Sequence, residues 1–464
     1  MNTKSFSITC AARISAYSLS LAFLLALGAC HKEETVNVSK GVITAGQTIT
    51  ADTLTGSIKG TLVGGHTYYF KTDITINQGD TVLMQAGSRL LAIGDGKTTA
   101  TSPQITCNGT FISLGTSTSH NFITVPDDKR IPANIGAGFW GGIQCGANSG
   151  DVVLKWTHLE FAGGPAGPNA DPAVFASGDP RNALSYTNTN GHFIMEDCWV
   201  FGTTDDGMRI LHGKVSVMRN TFEACGKAGG EGFNLKNGTL GDVAYNLSIG
   251  CATNGFKISN SGAGPVQTNI NVYNNTILDC GFRQVKSGRG GSINYEKGAQ
   301  GRIYNNMIIN CRFGLRVTAD ADTAHVTYNN QFYYANDQRI IAQFNTTDGV
   351  VTTKSGDIRS TTPKSNNPLF AQYNADQFDF STAAVPMDIS AMPTAIITAG
   401  SYNFSLLPGS PALKKANADL FKAMKAVPQG GIYGATTLDP GVDMGAYQSD
   451  GSGNLHYASS LSFK

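Results

Sequence analysis

Hydrophobic and polar positions repeat along the middle of the chain in short units. Four units place an asparagine five residues before a cysteine, and the pairs are Asn220 and Cys225, Asn246 and Cys251, Asn275 and Cys280, and Asn306 and Cys311. Asp197 continues the asparagine position upstream and Asn330 continues it downstream, so successive positions are 23, 26, 29, 31 and 24 residues apart. Apolar residues such as Ile194 stand three positions before these anchors, and others such as Trp199 and Phe332 stand two positions after them. This spacing predicts one coil per unit, with these apolar positions turned inward.

Each unit holds two or three short β segments without helical periodicity, which is typical of a parallel β-solenoid. Successive coils of such a fold hydrogen-bond at about 4.8 Å, so equivalent residues stack on one another. Asparagine suits the bend between strands because it tolerates left-handed backbone angles and its amide can bond to the amides above and below. The cysteines are predicted to fill the core as reduced thiols, because parallel Cβ atoms at the coil spacing lie farther apart than a disulfide requires.

Composition narrows the class of protein. The formal net charge is +1 and only 14% of residues are charged, so no overall electrostatic field favours nucleic-acid binding. The chain has 55 glycines and 16 prolines, which fits short strands joined by frequent turns. Its 464 residues suffice for a large core in one elongated body or in two compact domains.

The first 29 residues have the pattern of a secretory signal peptide. An apolar run over 14–29 follows Lys4 and Arg13, and it is too short to span a bilayer as a helix. The end of this run, just before Cys30, resembles a bacterial lipoprotein cleavage site, which implies an acylated Cys30 and a tether over 30–45. Cleavage at another small residue, leaving Cys30 as a thiol, is the alternative.

The charged residues 32–34, Lys-Glu-Glu, directly follow Cys30. They are similar to the short export tag of Bacteroidetes lipoproteins, which implies display on the outer face of the outer membrane. An ordinary solvated tether is the alternative. No later apolar segment approaches 18 residues, so we expect the mature chain to be soluble apart from its anchor.

Several separated segments resemble right-handed parallel β-helix proteins of the pectin-lyase-like superfamily, including Bacteroidetes surface lipoproteins. The segments are 66–92, 105–116, 138–145, 154–164, 366–370, 406–417 and 441–448. The resemblance implies an all-β chain with one right-handed parallel β-helix over 46–360, including an N-terminal cap. It also implies an irregular C-terminal segment over 361–464 that packs on the helix or caps it. The superfamily has many activities, so the resemblance does not fix a function.

A polar column follows the repeat on the strand after each asparagine-cysteine turn. The predicted outward residues are Arg209, Asn234, Lys257, Asn294 and Arg316. Guanidinium groups bind carboxylates and amides bind hydroxyls, so the column is predicted to bind a linear polysaccharide, either anionic or neutral. An insertion over 163–182 is expected to wall this face, and the 286–291 loop brings Lys286 and Arg289 next to it. An ordinary solvated β-face is the alternative.

Residues 205–207, Asp-Asp-Gly, and 254–257, Asn-Gly-Phe-Lys, resemble motifs of family-nine pectate lyases, which use calcium and a lysine base. The resemblance implies Lys257 as the base and a carboxylate cluster that holds Ca²⁺. Arg209 stands where the family has a further calcium-binding aspartate, and a cation there would compete with calcium. Carboxylates without calcium would also raise the pKa of Lys257 and make it a weaker base.

Three carboxylates complete this alternative. Asp206 and Glu231 are the candidate catalytic partners of Lys257, and Asp205, Asp206 and Glu231 are the candidate metal ligands. A glycoside hydrolase that pairs Asp205 or Asp206 with Glu231 is a third possibility, and a plain turn is the structural alternative. The prediction is thus a lipid-anchored surface protein that captures polysaccharide without a required cofactor. If it is an enzyme, a lyase is favoured over a hydrolase.

Overall fold

A computed structural model describes residues 46–167, 170–172, 174–260, 266–284, 286, 289–346, 348–379 and 401–464. The predicted lipidation site Cys30 and the charged residues that follow it lie outside the described residues. Within the described ranges, no helix combines the length and the apolar character needed to cross a membrane.

The described chain forms parallel strands that wind through three faces in turn. Face 1 is a ten-stranded sheet of β2 (Gly60–Leu62), β4 (Thr81–Met84), β7 (Thr110–Leu114), β10 (Val152–Lys155), β13 (His192–Glu196), β16 (Lys214–Met218), β19 (Leu240–Ala244), β22 (Asn269–Tyr273), β25 (Gly301–Tyr304) and β28 (Val326–Asn329). Face 2 contains β5 (Arg89–Ala92), β8 (Asn121–Thr124), β11 (Thr157–Glu160), β14 (Trp199–Phe201), β17 (Thr221–Glu223), β20 (Leu247–Ile249), β23 (Thr276–Leu278), β26 (Met307–Ile309), β29 (Phe332–Tyr334) and β30 (Ile358–Arg359).

Face 3 contains β6 (Ile105–Cys107), β9 (Ile143–Cys145), β12 (Leu184–Tyr186), β15 (Met208–Ile210), β18 (Phe233–Leu235), β21 (Asn254–Ser259), β24 (Gly291–Glu296) and β27 (Arg316–Val317). The first strands, β1 (Thr53–Ser57) and β3 (Thr67–Ile76), span faces 2 and 3, and β3 pairs with both β5 and β6. The helical elements are short: an α-helix over Gln338–Ile341 and 3₁₀ turns at Thr99–Thr101, Pro132–Asn134, Ala375–Gln377 and Ser460–Ser462. The prediction of an all-β parallel β-helix is confirmed.

A ladder of side-chain amides joins the coils at the bend between faces 1 and 2. The Oδ1 atom of Asn246 accepts from the backbone N–H and the side-chain Nδ2 of Asn220, both at 2.9 Å, and Asn275 and Asn306 repeat this arrangement. The left-handed backbone angle belongs to the preceding residue, for example Tyr245 with φ 58°. The stacking prediction is confirmed, but the asparagine itself does not adopt the left-handed conformation.

The predicted ends of this ladder are wrong by one residue. Cys198, not Asp197, occupies the upstream position, because its N–H donates to Asn220 Oδ1 at 2.9 Å. Gln331, not Asn330, continues the ladder downstream and accepts from Asn306 Nδ2 at 3.1 Å. Asp197 and Asn330 instead have the positive φ angles of the residue before each ladder position.

The same offset of one residue reverses the predicted orientation of three side chains. Three predicted inward residues lie outside the main core: Ile194, Trp199 and Phe332. The residue that follows each of them points into the core instead and belongs to the main buried cluster: Met195, Val200 and Tyr333. A shift of one residue along a strand moves every side chain to the opposite face, so an anchor misplaced by one position reverses its whole coil.

The four repeat cysteines, Cys225, Cys251, Cys280 and Cys311, form one buried row with at most 1% exposure each. Neighbours in the row are close enough for weak contacts, and Cys251 N lies 3.3 Å from Cys280 Sγ. All seven cysteines in the described ranges are free. The prediction of a reduced, buried cysteine row is confirmed.

The C-terminal residues cover the outer sides of faces 1 and 2. On face 1, Val427 and Tyr433 pack against Ile112, Val153 and Ile194. On face 2, a larger cluster joins outward residues to C-terminal ones: Leu247, Ile249, Leu278, Met307, Ile309, Phe332, Tyr402, Phe404, Met444, Ala446 and Tyr447. These contacts explain why faces 1 and 2 carry apolar residues on their outer sides.

Candidate functional site

The predicted polar column lies in register on the outer side of face 3. Arg209 pairs with Asn234, Asn234 with Lys257, Lys257 with Asn294, and Asn294 with Arg316 across adjacent parallel strands. Four steps at the inter-strand spacing give a contact length of about 19 Å. All five predicted ligand-binding residues therefore line one trough, with a volume of about 740 Å³.

Charges of both signs line this trough. Its acidic residues are Asp205, Asp206, Glu231, Glu296, Asp320 and Asp348, and its cationic residues are Arg209, Lys236, Lys257, Lys286, Arg289, Lys297 and Arg316. None of the described residues from 401 onward contributes to the lining. The trough is thus a polar surface that the C-terminal segment leaves open.

Arg209 is held by the carboxylate cluster that precedes it. Its Nε and Nη2 atoms donate to Asp206 Oδ2 at 3.0 and 2.8 Å, and its Nη1 donates to the Val174 carbonyl at 3.0 Å. Asp206 Oδ1 accepts from the Glu231 backbone N–H at 2.9 Å, and its Oδ2 also lies 3.3 Å from Asn234 Nδ2. Both oxygens of Asp206 are therefore occupied by protein donors.

The other two cations of the column also have carboxylate partners. Lys257 Nζ lies 3.0 Å from Glu296 Oε1 and 3.8 Å from Glu231 Oε1. Arg316 forms a two-point pair with Asp348, and its Nη1 donates to Asn294 Oδ1 at 3.0 Å. Sequence reasoning missed both Glu296 and Asp348. Since the three column cations are already neutralised, they contribute less free positive charge than the sequence suggested.

The three candidate catalytic carboxyl groups differ in protonation. Burial, followed by the charge of Asp206, raises the pKa of Asp205 to about 7. Burial alone would raise the pKa of Asp206, but Arg209 and the Glu231 hydrogen bonds lower it below its usual value. Burial and the nearby charge of Asp206 raise the pKa of Glu231 well above its usual value. The cluster therefore holds protons next to one ionised carboxylate at neutral pH.

The environment of Lys257 does not favour a general base. Burial lowers its pKa, but Glu231 and Glu296 outweigh that effect, and the net pKa is raised above the usual value. A base must be deprotonated to accept a proton, so the raised pKa makes Lys257 a weaker base, as predicted from the sequence for carboxylates without calcium.

Lys236, like Lys297, is a trough cation that sequence reasoning missed. Among the described residues, no carboxylate oxygen lies within 4.0 Å of its Nζ. Burial, followed by the charges of Arg209 and Lys257, lowers its pKa below the usual value and outweighs the opposing effect of Asp206 and Glu231. The signal was present in the sequence, because Lys236 follows Asn234 by two residues and a strand repeats its face every two residues. Lys236 is thus a poorly solvated cation without a close ion-pair partner among the described residues, and it lies next to the predicted column.

Asn234 adds an unused hydrogen-bond acceptor to the same place. Its residue is 2% exposed, and its Nδ2 points to Asp206. Its Oδ1 is buried and has no hydrogen-bond partner among the described residues. A buried polar atom without a partner costs free energy, so a donor that reached this carbonyl on binding would relieve that cost.

The carboxylate cluster does not fit a calcium ion. In the described part of the chain, no group of three or more His, Cys, Asp or Glu side chains is placed to hold a metal. Calcium takes six to eight oxygen ligands, whereas Arg209 places its guanidinium against Asp206. The metal set predicted from Asp205, Asp206 and Glu231 therefore receives no support, and no step through calcium follows from this geometry.

No protein-family model fits the chain, and no curated protein aligns with it significantly. The parallel β-helix thus rests on the strand pairing, and membership of the pectin-lyase-like superfamily stays a prediction.

Proposed function

We propose that this protein binds an acidic polysaccharide in the trough on face 3. The observation that carries this proposal is that one open polar trough is lined by Lys236, a cation without a carboxylate within 4.0 Å among the described residues, and by Asn234, whose Oδ1 has no hydrogen-bond partner there. A sugar acid supplies both matching groups, because its carboxylate pairs with an ammonium and its hydroxyls donate to an amide carbonyl.

The balance of charge supports an anionic ligand over a neutral one. Lys286, Arg289 and Lys297 line the trough, and within the described ranges no carboxylate pairs with them. On the acidic side, Asp205 and Glu231 have raised pKa values and so carry less negative charge at neutral pH than their number suggests. Positive charge therefore predominates in the trough.

The proposed location is the outer membrane, with the protein displayed at the cell surface through lipid on Cys30. The support is the sequence pattern around Cys30 and its likeness to Bacteroidetes surface lipoproteins. Mass spectrometry of the mature N-terminus tests this directly. An acylated Cys30 is expected, and an unmodified N-terminus at another residue would refute the anchor.

Binding can be measured by calorimetry with polygalacturonate and alginate as acidic probes and dextran as a neutral probe, each with and without calcium. We expect the acidic probes to bind, with affinity falling as salt rises and without a calcium requirement. Equal affinity for dextran would refute an anion-selective trough. Calcium-dependent release of unsaturated products that is lost in Lys257→Ala would replace capture with the lyase alternative.

Glycoside hydrolysis is the second candidate, and the raised pKa of Asp205 is the observation that favours it. Asp205, with a pKa of about 7, can donate a proton at neutral pH, whereas both oxygens of the ionised Asp206 are occupied by protein donors. Release of reducing ends from the same probes tests this activity. The rate should fall as pH rises above about 7, because the acid loses its proton, and Asp205→Asn should abolish it.

A further inference from the structure

The insertion over 163–182 crosses face 3 at one end of the trough. Ser185 and Arg209 are partners on adjacent strands, so they mark neighbouring coils of the same outward column. Arg209 Nη1 donates to the Val174 carbonyl, which places the insertion over this coil. Phe175 lines a hollow of about 450 Å³ that shares Asp205 and Arg209 with the trough. The same Phe175 also lines a separate cavity of about 340 Å³ that contains Ser185.

The described part of the insertion is anchored at both its base and its tip. At the base, Ala166 N donates to the Asp179 carbonyl at 2.7 Å, and Gly178 N donates to the Ala166 carbonyl at 2.8 Å. At the tip, Val174 and Phe175 form a small buried cluster with Ala166 of the base and with Leu211, which directly follows β15. The insertion therefore packs on the coil that it crosses.

Arg181 fixes the point where the insertion rejoins the β-helix. Its Nε donates to the Gly164 carbonyl at 3.0 Å, and its Nη2 donates to the Ser102 carbonyl at 2.6 Å. Arg181 is only 2% exposed. These bonds join the two ends of the insertion to an earlier coil, so the position of the insertion is set by buried contacts.

We infer that Val174, Phe175, Asp179 and Pro180 form a wall that divides face 3, so that the trough receives the end of a polysaccharide chain or a short oligosaccharide. This inference rests on the proposed function and deepens it. A chain lying along the column from Arg316 reaches the wall after Arg209 and cannot continue over Ser185. The bound length is then limited to about 19 Å, four steps between adjacent coils.

The column on the far side of the wall differs in chemistry, which is consistent with a division. Upstream of Arg209 its outward residues are Thr106, Gln144 and Ser185, which are neutral. They bond to one another and to the backbone, as in the hydrogen bond from Ser185 Oγ to Gln144 Oε1. An acidic chain that crossed the wall would leave the cationic part of the face.

The test is to measure, by calorimetry, the binding of a length series of oligogalacturonates, from dimer to decamer, to the intact protein. Affinity should rise with length until the oligomer spans about 19 Å and then stay constant. Polygalacturonate samples of different mean length, compared at equal mass, should bind protein in proportion to their number of chain ends. Binding in proportion to total mass, with many protein molecules on each chain, would overturn the wall.

Two variants locate the effect. Replacement of 167–178 by two glycines should leave the coil intact, because the flanking Ala166 and Asp179 are already hydrogen-bonded. This excision should let longer oligomers gain affinity by about tenfold, the effect of roughly 1.4 kcal/mol of added contacts. Phe175→Ala is the milder variant, and it should shift the plateau in the same direction. Ile131→Ala, which truncates an exposed residue on another loop, should match the unmodified protein.

The outcomes separate the two proposals. If no oligomer and no polymer binds the protein or either variant, the proposed function fails. If the protein binds the oligogalacturonates but affinity does not level off with length, or levels off at the same length after excision, the proposed function stands and the wall is refuted. Circular dichroism of each variant confirms that the β-helix has formed before binding is compared.

Discussion

Replacement of Lys236 by methionine tests whether the ammonium group of this trough residue binds the ligand. Methionine keeps a long flexible apolar side chain and removes the charge. If a ligand carboxylate pairs with Nζ, the lost charge-assisted hydrogen bond amounts to about 1.5 to 3 kcal/mol. Affinity for an acidic oligosaccharide should then fall about ten- to a hundredfold.

The same substitution should leave folding stability equal or higher. Lys236 is partly buried and lies near Arg209 and Lys257, and burial and these charges lower its pKa more than Asp206 and Glu231 raise it. Removing a partly desolvated charge without a close ion-pair partner relieves a cost of folding. Lys257→Met is the matched control with the opposite expectation, because it removes the closest cation of Glu296, at 3.0 Å, and should reduce the free energy of unfolding.

Two measurements decide the outcome. Calorimetry at low and high salt gives the dissociation constants, and urea unfolding followed by circular dichroism gives the stabilities. The reasoning is refuted if Lys236→Met binds acidic oligosaccharide as well as the unmodified protein does, or if it unfolds at a clearly lower urea concentration. The first result would remove Lys236 from the site, and the second would show that its charge has a structural partner.

Three further predictions concern the fold. Asn246→Ala should lower the free energy of unfolding by about 2 to 5 kcal/mol in urea melts, because the Asn220 N–H and the Val217 carbonyl lose buried partners. The control Asn190→Ala changes an exposed residue and should alter that free energy by less than about 0.5 kcal/mol. Burial lowers the pKa of His158 to about 4, so between about pH 6.5 and 4 the unfolded chain binds a proton that the folded chain does not. The free energy of unfolding should therefore fall by roughly 3 kcal/mol on acidification across that range. Urea melts of the unmodified protein and of His158→Phe, compared at several pH values, should show that the variant lacks this loss. The seven cysteines of the described ranges should react with a thiol reagent only after denaturation, and rapid reaction of the native protein would contradict their burial.

The fold could be predicted because stacking repeats chemistry from coil to coil. The asparagine and cysteine spacings recur over four units, and the structure places both sets in continuous buried rows. The prediction failed where the repeat ended. A cysteine and a glutamine replace asparagine at Cys198 and Gln331, and each lies directly after a residue that imitates the anchor. Composition alone cannot separate two adjacent polar residues when only one points inward.

The column on face 3 could also be predicted, but the pairing of its charges could not. Asp348 reaches Arg316 from a segment outside the repeat, and no periodicity connects the two. Glu296 and Lys236, in contrast, follow column residues by two positions and share their face. Extending the alternation by one step along each strand would have found both of them. The sequence therefore held part of the missing electrostatics, and long-range contacts supplied the rest.

The coverage of the other two faces explains why binding is assigned to face 3. A β-helix packs its inward residues, so a ligand can reach only its outer sides. Outward apolar residues on faces 1 and 2 cluster with the C-terminal segment: Ile194 and Val427 belong to one cluster, and Leu278 and Phe404 belong to another. The downstream half of face 3 has charged groups in the same position, and none of the described C-terminal residues lines it. An apolar outer face is stable when other residues bury it, whereas a charged outer face must stay in contact with solvent or a polar ligand. Face 3 is therefore assigned as the binding site because apolar groups are buried and charged groups are not, which also determines the core.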